Sequence, residues 1–87
     1  MNESKKIAII GLGQIGNYLY NEIIKRKNEI EKKSGTKISI VGISARNKNK
    51  RRKFKINKKI FYSNPLELIK KKKIDILFEC IGLSDGI

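Results

Sequence analysis

A short apolar run leads directly into three closely spaced glycines near the start of the chain. The run KKIAII, residues 5–10, is apolar and β-branched, which predicts a buried strand. GLGQIG follows at residues 11–16, and from Gln14 the apolar spacing becomes helical. The predicted apolar helix face comprises Ile15, Leu19, Ile23 and Ile30, with Tyr18 and Ile24 beside it. A strand, a glycine turn and a helix in this order favour a fold in which helices pack on the strands they follow.

Strands and helices continue to alternate along the 87-residue chain. The first helix is predicted to be continuous over about 20 residues, with Gly35 as its C-cap. A second helix is predicted to begin after Asn64, with Pro65 at its first position. Further strands are predicted at residues 37–44, 60–62 and 74–80. Ser84 or Asp85 could cap another helix.

This alternation predicts a single α/β domain over residues 1–87. The expected sheet is a partial doubly wound parallel sheet with right-handed crossovers and strand order 3-2-1-4. Because an element begins at the end of the chain, we expect an incomplete domain with further segments downstream. The fourth strand would then be an open, apolar edge.

The glycines have the spacing and context of a dinucleotide-binding turn, G-x-G-x-x-G between a strand and a helix. Gly11 permits the turn out of the strand, Gly13 lets a pyrophosphate approach the backbone, and Gly16 lets the helix pack near the strand. Backbone N–H groups around Gln14 and Ile15 would face the phosphates. The predicted pyrophosphate site therefore comprises Gly11, Leu12, Gly13, Gln14, Ile15 and Gly16. The alternative is a glycine-rich turn that only connects strand and helix.

The end of the second strand bears on which dinucleotide binds. NAD-preferring sites carry an acidic residue there, whereas this chain has Ser44, Ala45 and Arg46, and no acid between Ile38 and Leu66. An arginine can stack on adenine and bind a 2′-phosphate. Ala45 and Arg46 are therefore predicted to favour NADP, with NAD still possible. The alternative is that Arg46 is a solvated loop residue.

The predicted strand order brings the first and fourth strands side by side, with the ligand crevice at their carboxyl ends. The fourth strand ends at Cys80, Ile81 and Gly82. Gly82 would allow close approach of the ribose or nicotinamide, so Ile81 and Gly82 are added to the predicted cofactor site. No base is near Cys80 in the sequence, which favours a small buried thiol over a nucleophile.

The chain is strongly basic, with 21 Lys and Arg against 8 acidic residues and a formal net charge of +13. The densest cluster is residues 46–59, hereafter the basic segment. We expect it to be a solvated, mobile loop, because like charges repel. A nucleic-acid surface is the less favoured alternative, since Phe54 is its one aromatic residue. We expect no nucleic-acid partner.

Several classes of function lack the residues they need. With no His and one Cys, the chain has no zinc site, no Ser-His or Cys-His pair and no internal disulfide. No catalytic or metal-binding residue is predicted. The longest apolar run at the N-terminus, residues 7–10, is too short for a signal peptide or membrane span. A cytoplasmic protein without a membrane partner is expected.

Four segments in order resemble the N-terminal domain of homoserine dehydrogenase. They are KKIAIIGLGQIGNYLYNEI, NEIEKKSGTKISIVGISAR, YSNPLELI and IDILFECIG. The glycine loop is shared with many Rossmann enzymes, so the specific part is SGTKISIV together with IDILFECIG. There are departures: the family often has Gly-Gly where this chain has Gly82-Leu83, and usually Thr where Gln14 stands.

The resemblance implies a Rossmann-type NAD(P)-binding domain of an enzyme that reduces aspartate 4-semialdehyde to homoserine, a step toward threonine and methionine. It also implies that the catalytic lysine and the substrate-binding, dimer-forming domain lie downstream. The full-length protein would be a homo-oligomer that binds its small-molecule substrate outside this chain. Two alternatives stay open: another Rossmann dehydrogenase or semialdehyde-type reductase, or a non-catalytic nucleotide- or nucleic-acid-binding module.

Overall fold

The computed structural model describes residues 3–81, and they form four strands and three α-helices. The elements are β1 (Glu3–Ile10), α1 (Gln14–Lys25), α2 (Lys27–Ser34), β2 (Thr36–Ser44), β3 (Phe61–Tyr62), α3 (Pro65–Lys71) and β4 (Ile76–Glu79). A single 3₁₀ turn, Lys58–Ile60, precedes β3. The cap predicted at Ser84 or Asp85 and the predicted site residue Gly82 lie outside the described residues.

All three strand pairs are parallel, and the sheet has the order β3-β2-β1-β4. The predicted Rossmann-type α/β fold with strand order 3-2-1-4 is therefore confirmed. The β1–β2 register shifts after Ile7, which is opposite Ile40, so that Ala8 is opposite Gly42. Val41 is the extra residue of this bulge, which explains why the apolar run of β2 does not alternate strictly.

Helices cover both faces of β2. Ile43 and Ile9 are fully buried in a cluster that also contains Tyr20 and Ile23 of α1. Gly42, the preceding residue of β2, faces α3, where a Cβ would collide with Leu68. Because successive strand residues point to opposite faces, α1 and α3 lie on opposite sides of the sheet.

The predicted long helix is interrupted. α1 and α2 meet at Arg26, whose φ of −102° and ψ of 11° are not helical, so the prediction of one continuous helix is wrong at this residue. The side chain of Arg26 contacts Glu22 at 2.8 Å and Glu29 at 3.7 Å, which links the two helices. Gly35 ends α2 as predicted.

The predicted apolar face of the first helix is only half right. Ile23 is buried and Leu19 and Ile30 pack on the core, but Ile15, Tyr18 and Ile24 are exposed. The buried face of α1 is instead Gly16, Asn17, Tyr20 and Ile23. It is displaced because Asn17 and Tyr20 hold part of the basic segment, a tertiary contact that apolar spacing does not reveal.

β4 is shorter than the predicted strand at residues 74–80. Asp75 pairs with β1 outside the regular ladder: Lys6 donates its N–H to the Asp75 carboxylate at 2.8 Å, and Asp75 donates its own N–H to the Lys6 carbonyl at 2.8 Å. Ile76 and Leu77 of β4 are exposed, in agreement with the predicted open, apolar edge. No helix in the part of the chain from 3 to 81 is long and apolar enough to cross a membrane.

Candidate functional site

A cleft of about 200 Å³ opens where the carboxyl ends of β1, β2 and β4 meet. Its described lining is Ile10, Gly11, Leu12, Gly13, Ser44, Ala45, Arg46, Asn47, Lys50, Arg52, Ser63, Pro65, Cys80 and Ile81. The volume is below the roughly 300–1,000 Å³ typical of small-molecule sites, so these residues would enclose part of a dinucleotide. This is the crevice between the first and fourth strands that the topology predicts.

Neither Gly11 nor Gly16 has room for a Cβ. Gly11 has a φ of +95°, and a Cβ there would lie 2.8 Å from the backbone of both Cys80 and Ile81. A Cβ on Gly16 would collide with the Gly11 carbonyl oxygen. Gly11 also donates its N–H to the Ser44 carbonyl at 2.7 Å, which joins the turn to β2. The turn therefore depends on both glycines for its shape.

Gly13 differs from them, since its φ of −70° and ψ of −158° are accessible to any residue. It is the N-cap of α1, and no described side chain caps this helix; the first turn also contains no acidic residue. The first amides of a helix have no partner within it, and the helix dipole favours an anion there. The start of α1 thus suits a phosphate group, and lack of a side chain at Gly13 would let one approach.

Three cations and no carboxylate are present among the described residues that line the cleft. Arg46 follows β2 directly, and its side chain is exposed, while Ala45 is half-buried against the core. Lys50 is exposed and lines the same cleft. Electrostatically, this end of β2 suits an additional phosphate and lacks the acid that would repel one.

Two residues of the cleft directly follow β4: Cys80, which is buried, and Ile81, which is exposed. Cys80 donates its N–H to the Ile10 carbonyl at 2.7 Å, and burial raises the pKa of its thiol, with a smaller effect of Glu79. A protonated, buried thiol is inert, which agrees with the predicted structural role. Ile81 is exposed and donates its N–H to Glu79 Oε1 at 3.0 Å.

Most of the predicted cofactor residues meet at this cleft. Six of them line it: Gly11, Leu12, Gly13, Ala45, Arg46 and Ile81. Gln14 and Ile15 instead line a neighbouring cavity of about 470 Å³, and Gly16 is buried behind the turn. That these residues bind a cofactor remains a prediction.

The basic segment is anchored, so the prediction of a mobile loop does not match the contacts that the structure shows. Asn17, buried in α1, donates from Nδ2 to the Phe54 carbonyl at 2.9 Å and accepts the Phe54 N–H at 2.8 Å. Asn57 donates its N–H to the Tyr20 hydroxyl at 3.0 Å. Arg52 contacts the glycine turn through a bond from Nε to the Leu12 carbonyl at 3.1 Å.

The sequence reasoning missed Asn17 and Arg52, although signals for both exist. An amide on the buried side of a helix requires hydrogen-bond partners, which indicates a segment packed over it. In RRKFKI the apolar residues Phe54 and Ile56 alternate with cations, and a period of two places Arg52 on the same side as these two residues. All three are half-buried in the structure. The high charge of the segment as a whole conceals this alternation.

Comparison with known proteins identifies the family of the chain. Residues 5–84 match the sequence profile described as an oxidoreductase family with an NAD-binding Rossmann fold. The chain belongs to this oxidoreductase family. As a member, this Rossmann domain is associated with a nicotinamide dinucleotide cofactor. A search of curated protein sequences gives no match.

Solved structures give a closer likeness for this oxidoreductase domain. S. aureus homoserine dehydrogenase at pH 7.5 matches with a TM-score of 0.79 and 26% identity over 88% of this chain. The same enzyme at pH 6.5 matches with a TM-score of 0.78 and 25% identity over 91% of this chain. The chain spans about 20% of the length of these structures. The resemblance to the homoserine dehydrogenase family is therefore confirmed.

Proposed function

We propose that this chain is the cofactor-binding domain of a homoserine dehydrogenase and that it binds NADPH in preference to NADH. The observation that carries the preference is the charge of the cleft, with three cations and no carboxylate among its described lining residues. A carboxylate after β2 would repel a 2′-phosphate, whereas Arg46 is placed to attract one. The same chemistry makes NADH, which lacks that phosphate, the weaker ligand.

The parts of the cofactor are assigned to different elements. The first amides of α1, near Gly13, would hold the pyrophosphate, and Arg46 with Lys50 would hold the adenosine 2′-phosphate. Ile81 lies at the end of β4, where the nicotinamide side is expected. When bound, the cofactor supplies the hydride that reduces aspartate 4-semialdehyde to homoserine. This chain binds and orients the cofactor, and we assign it no catalytic residue.

The wider biological setting is also a proposal. The substrate-binding and catalytic groups would come from segments outside this chain, in a homo-oligomeric cytoplasmic enzyme of threonine and methionine biosynthesis. The likeness to homoserine dehydrogenase supports this assignment over another dehydrogenase. It is tested by assaying the product of the complete gene with NADPH and aspartate 4-semialdehyde; absence of homoserine formation would contradict it.

The cofactor preference is tested by titrating NADPH and NADH against wild type, Arg46→Ala and Lys55→Ala, with fluorescence as the readout. Removing the charged partner of a phosphate should weaken NADPH binding by at least about tenfold and leave NADH binding unchanged. Lys55→Ala is the matched control, because Lys55 is an exposed cation of the same basic segment that lines neither the cleft nor the neighbouring cavity. Equal wild-type affinities for the two cofactors would contradict the preference.

Gly13 provides an independent check on the pyrophosphate site. Gly13→Val should abolish binding of both cofactors, because a branched side chain would occupy the space that the phosphates need. The φ and ψ of Gly13 tolerate a side chain, so the fold should survive, as judged by circular dichroism. Retained affinity in a folded Gly13→Val variant would show that the dinucleotide does not bind at this turn.

A further inference from the structure

The basic segment has little regular structure, but hydrogen bonds attach it to the rest of the domain at three points. The contacts are Arg52 to Leu12, Asn17 to Phe54 and Tyr20 to Asn57. Asn17 and Tyr20 belong to α1, and Leu12, which accepts the hydrogen bond from Arg52, belongs to the glycine turn. The segment is thereby tied to the same two elements that would hold the pyrophosphate.

Arg52 makes more hydrogen bonds than Asn17 or Tyr20 does in these contacts. Its Nε donates to the Leu12 carbonyl at 3.1 Å, Nη1 to the Lys50 carbonyl at 3.1 Å and Nη2 to the Asn47 carbonyl at 2.7 Å. All three nitrogens of the planar guanidinium therefore bind backbone. The Arg52 side chain thus connects the glycine turn to the Asn47–Lys50 turn through hydrogen bonds. It differs from that of Arg46, which is exposed at the cleft.

Asn17 secures the following stretch in a different way. Its side chain is 3% exposed and pairs with both the N–H and the carbonyl of Phe54, as a neighbouring strand would. Asn17 does not line the cofactor cleft. Its two hydrogen bonds to Phe54 connect it to the basic segment, which carries the cations of the cleft. Asn17 also lines the neighbouring cavity, together with Gln14 and Ile15.

These contacts have a consequence for the two exposed cations of the cleft. Lys50 is the last residue of the turn whose carbonyls Arg52 binds, and Arg46 directly precedes the first, Asn47. A cation on an anchored turn loses less freedom when it binds a phosphate than one on a mobile loop. The anchoring therefore favours the 2′-phosphate cofactor specifically, because NADH has no group for these cations to bind.

We propose that Asn17 and Arg52 are positioning residues that anchor the basic segment to α1 and the glycine turn, and thereby set the preference for a 2′-phosphate-bearing cofactor. This inference rests on the proposed function. Arg52 acts through the backbone of residues 47 and 50, and Asn17 acts through Phe54. Neither residue is assigned a contact with the phosphate itself.

The decisive comparison is Arg52→Lys with Arg51→Lys in the full chain. Both changes preserve net charge and the trypsin cleavage site, but lysine cannot reproduce a planar fork to three carbonyls. Dissociation constants for NADPH and NADH are measured beside the rate of limited trypsin cleavage within residues 46–59, located by mass spectrometry. We expect Arg52→Lys to reduce the NADPH preference about tenfold and to accelerate cleavage, and Arg51→Lys to change neither.

Asn17→Ala provides a second route to the same result. It should reduce the NADPH preference and accelerate cleavage of the segment, although it alters no residue of the cleft. Hydrogen exchange at the Phe54 amide should also become faster, because that N–H loses its acceptor.

The outcomes separate the inference from the proposed function. If wild type prefers NADPH and Arg46→Ala abolishes that preference, but Arg52→Lys and Asn17→Ala retain it, the inference is overturned and the proposed function stands. Equal wild-type affinities for NADPH and NADH overturn the proposed preference, and the inference with it. Unchanged trypsin cleavage in both variants overturns the anchoring role, whatever the affinities.

Discussion

The shape of the glycine turn depends on the absence of a Cβ atom at Gly11 and Gly16. The space for a Cβ at Gly11 is taken by the backbone of Cys80 and Ile81, and that at Gly16 by the carbonyl of Gly11. Glycine is therefore required at the three positions for different reasons: conformation and packing at Gly11, packing at Gly16, and access for a ligand at Gly13. A spacing rule treats them alike, but substitutions should not.

Gly11 and Gly35 form a matched pair for testing this distinction. Both have positive φ, +95° and +71°, but nothing lies within 4 Å of a Cβ at Gly35. Gly35→Ala should lower the free energy of unfolding by about 1 kcal/mol, from conformation alone. Gly11→Ala should lower it by about 3 kcal/mol or more, because the collision with the backbone of Cys80 and Ile81 adds to the conformational strain.

Urea denaturation followed by circular dichroism measures both variants. Equal destabilisation at the two positions would contradict the collision at Gly11, since only conformational strain would then remain. A change confined to Gly11→Ala would contradict the left-handed conformation of Gly35.

At the scale of elements, α3 shows how a local signal places a helix over the sheet. Asn64 accepts the Leu66 N–H at 2.9 Å, and Pro65 occupies the first helical position, so the predicted start of α3 is confirmed. The position of Leu68, fully buried against Gly42, depends on where this helix begins. The cap therefore also fixes Ser63 and Pro65, which line the cleft.

Removing the cap should destabilise the domain. Asn64→Ala is expected to lower the free energy of unfolding by about 1 kcal/mol, because the Leu66 amide loses its acceptor at a helix start. Asn64→Asp is the control, since it keeps a side-chain oxygen and should retain most of the stability. Thermal unfolding of the three proteins measures the difference. A stable Asn64→Ala variant would show that packing of Leu68 alone places α3.

For the whole molecule, charge is the dominant feature. The formal net charge is +13, and the ion pairs between described side chains join residues three or four apart, all of them exposed except the half-buried Glu22. Such pairs contribute little individually. The excess positive charge opposes the compact state through mutual repulsion, which dissolved salt screens over about 10 Å at 0.1 M.

Stability should therefore rise with ionic strength. Raising NaCl from about 20 mM to about 200 mM is expected to increase the urea midpoint, because screening relieves repulsion more than it weakens the surface ion pairs. The double variant Lys37→Gln, Lys55→Gln reduces the formal net charge by two at exposed positions and should show a smaller increase. A midpoint that falls with salt would mean that the ion pairs outweigh the repulsion.

Local sequence patterns were sufficient to predict the four strands, the glycine turn, the start of α3 and the parallel sheet. These follow from local causes: β-branched runs form strands, Asn64 and Pro65 start a helix, and glycines mark the turn after β1. Strand order followed from the doubly wound arrangement that alternating strands and helices favour, and the crevice followed from strand order. Six of the predicted cofactor residues accordingly line one cleft.

Tertiary contacts, in contrast, determine which side of α1 is buried, where the first helix is interrupted, and how the basic segment lies. The burial of Asn17 depends on Phe54, 37 residues away, and the role of Arg52 depends on the Leu12 carbonyl, 40 residues away. A local pattern can indicate that these side chains face inward, but it cannot identify their partners, because each contact joins polar groups that meet only after the sheet has brought their elements together. Local forces therefore fixed the scaffold, and long-range hydrogen bonds shaped the edge of the site.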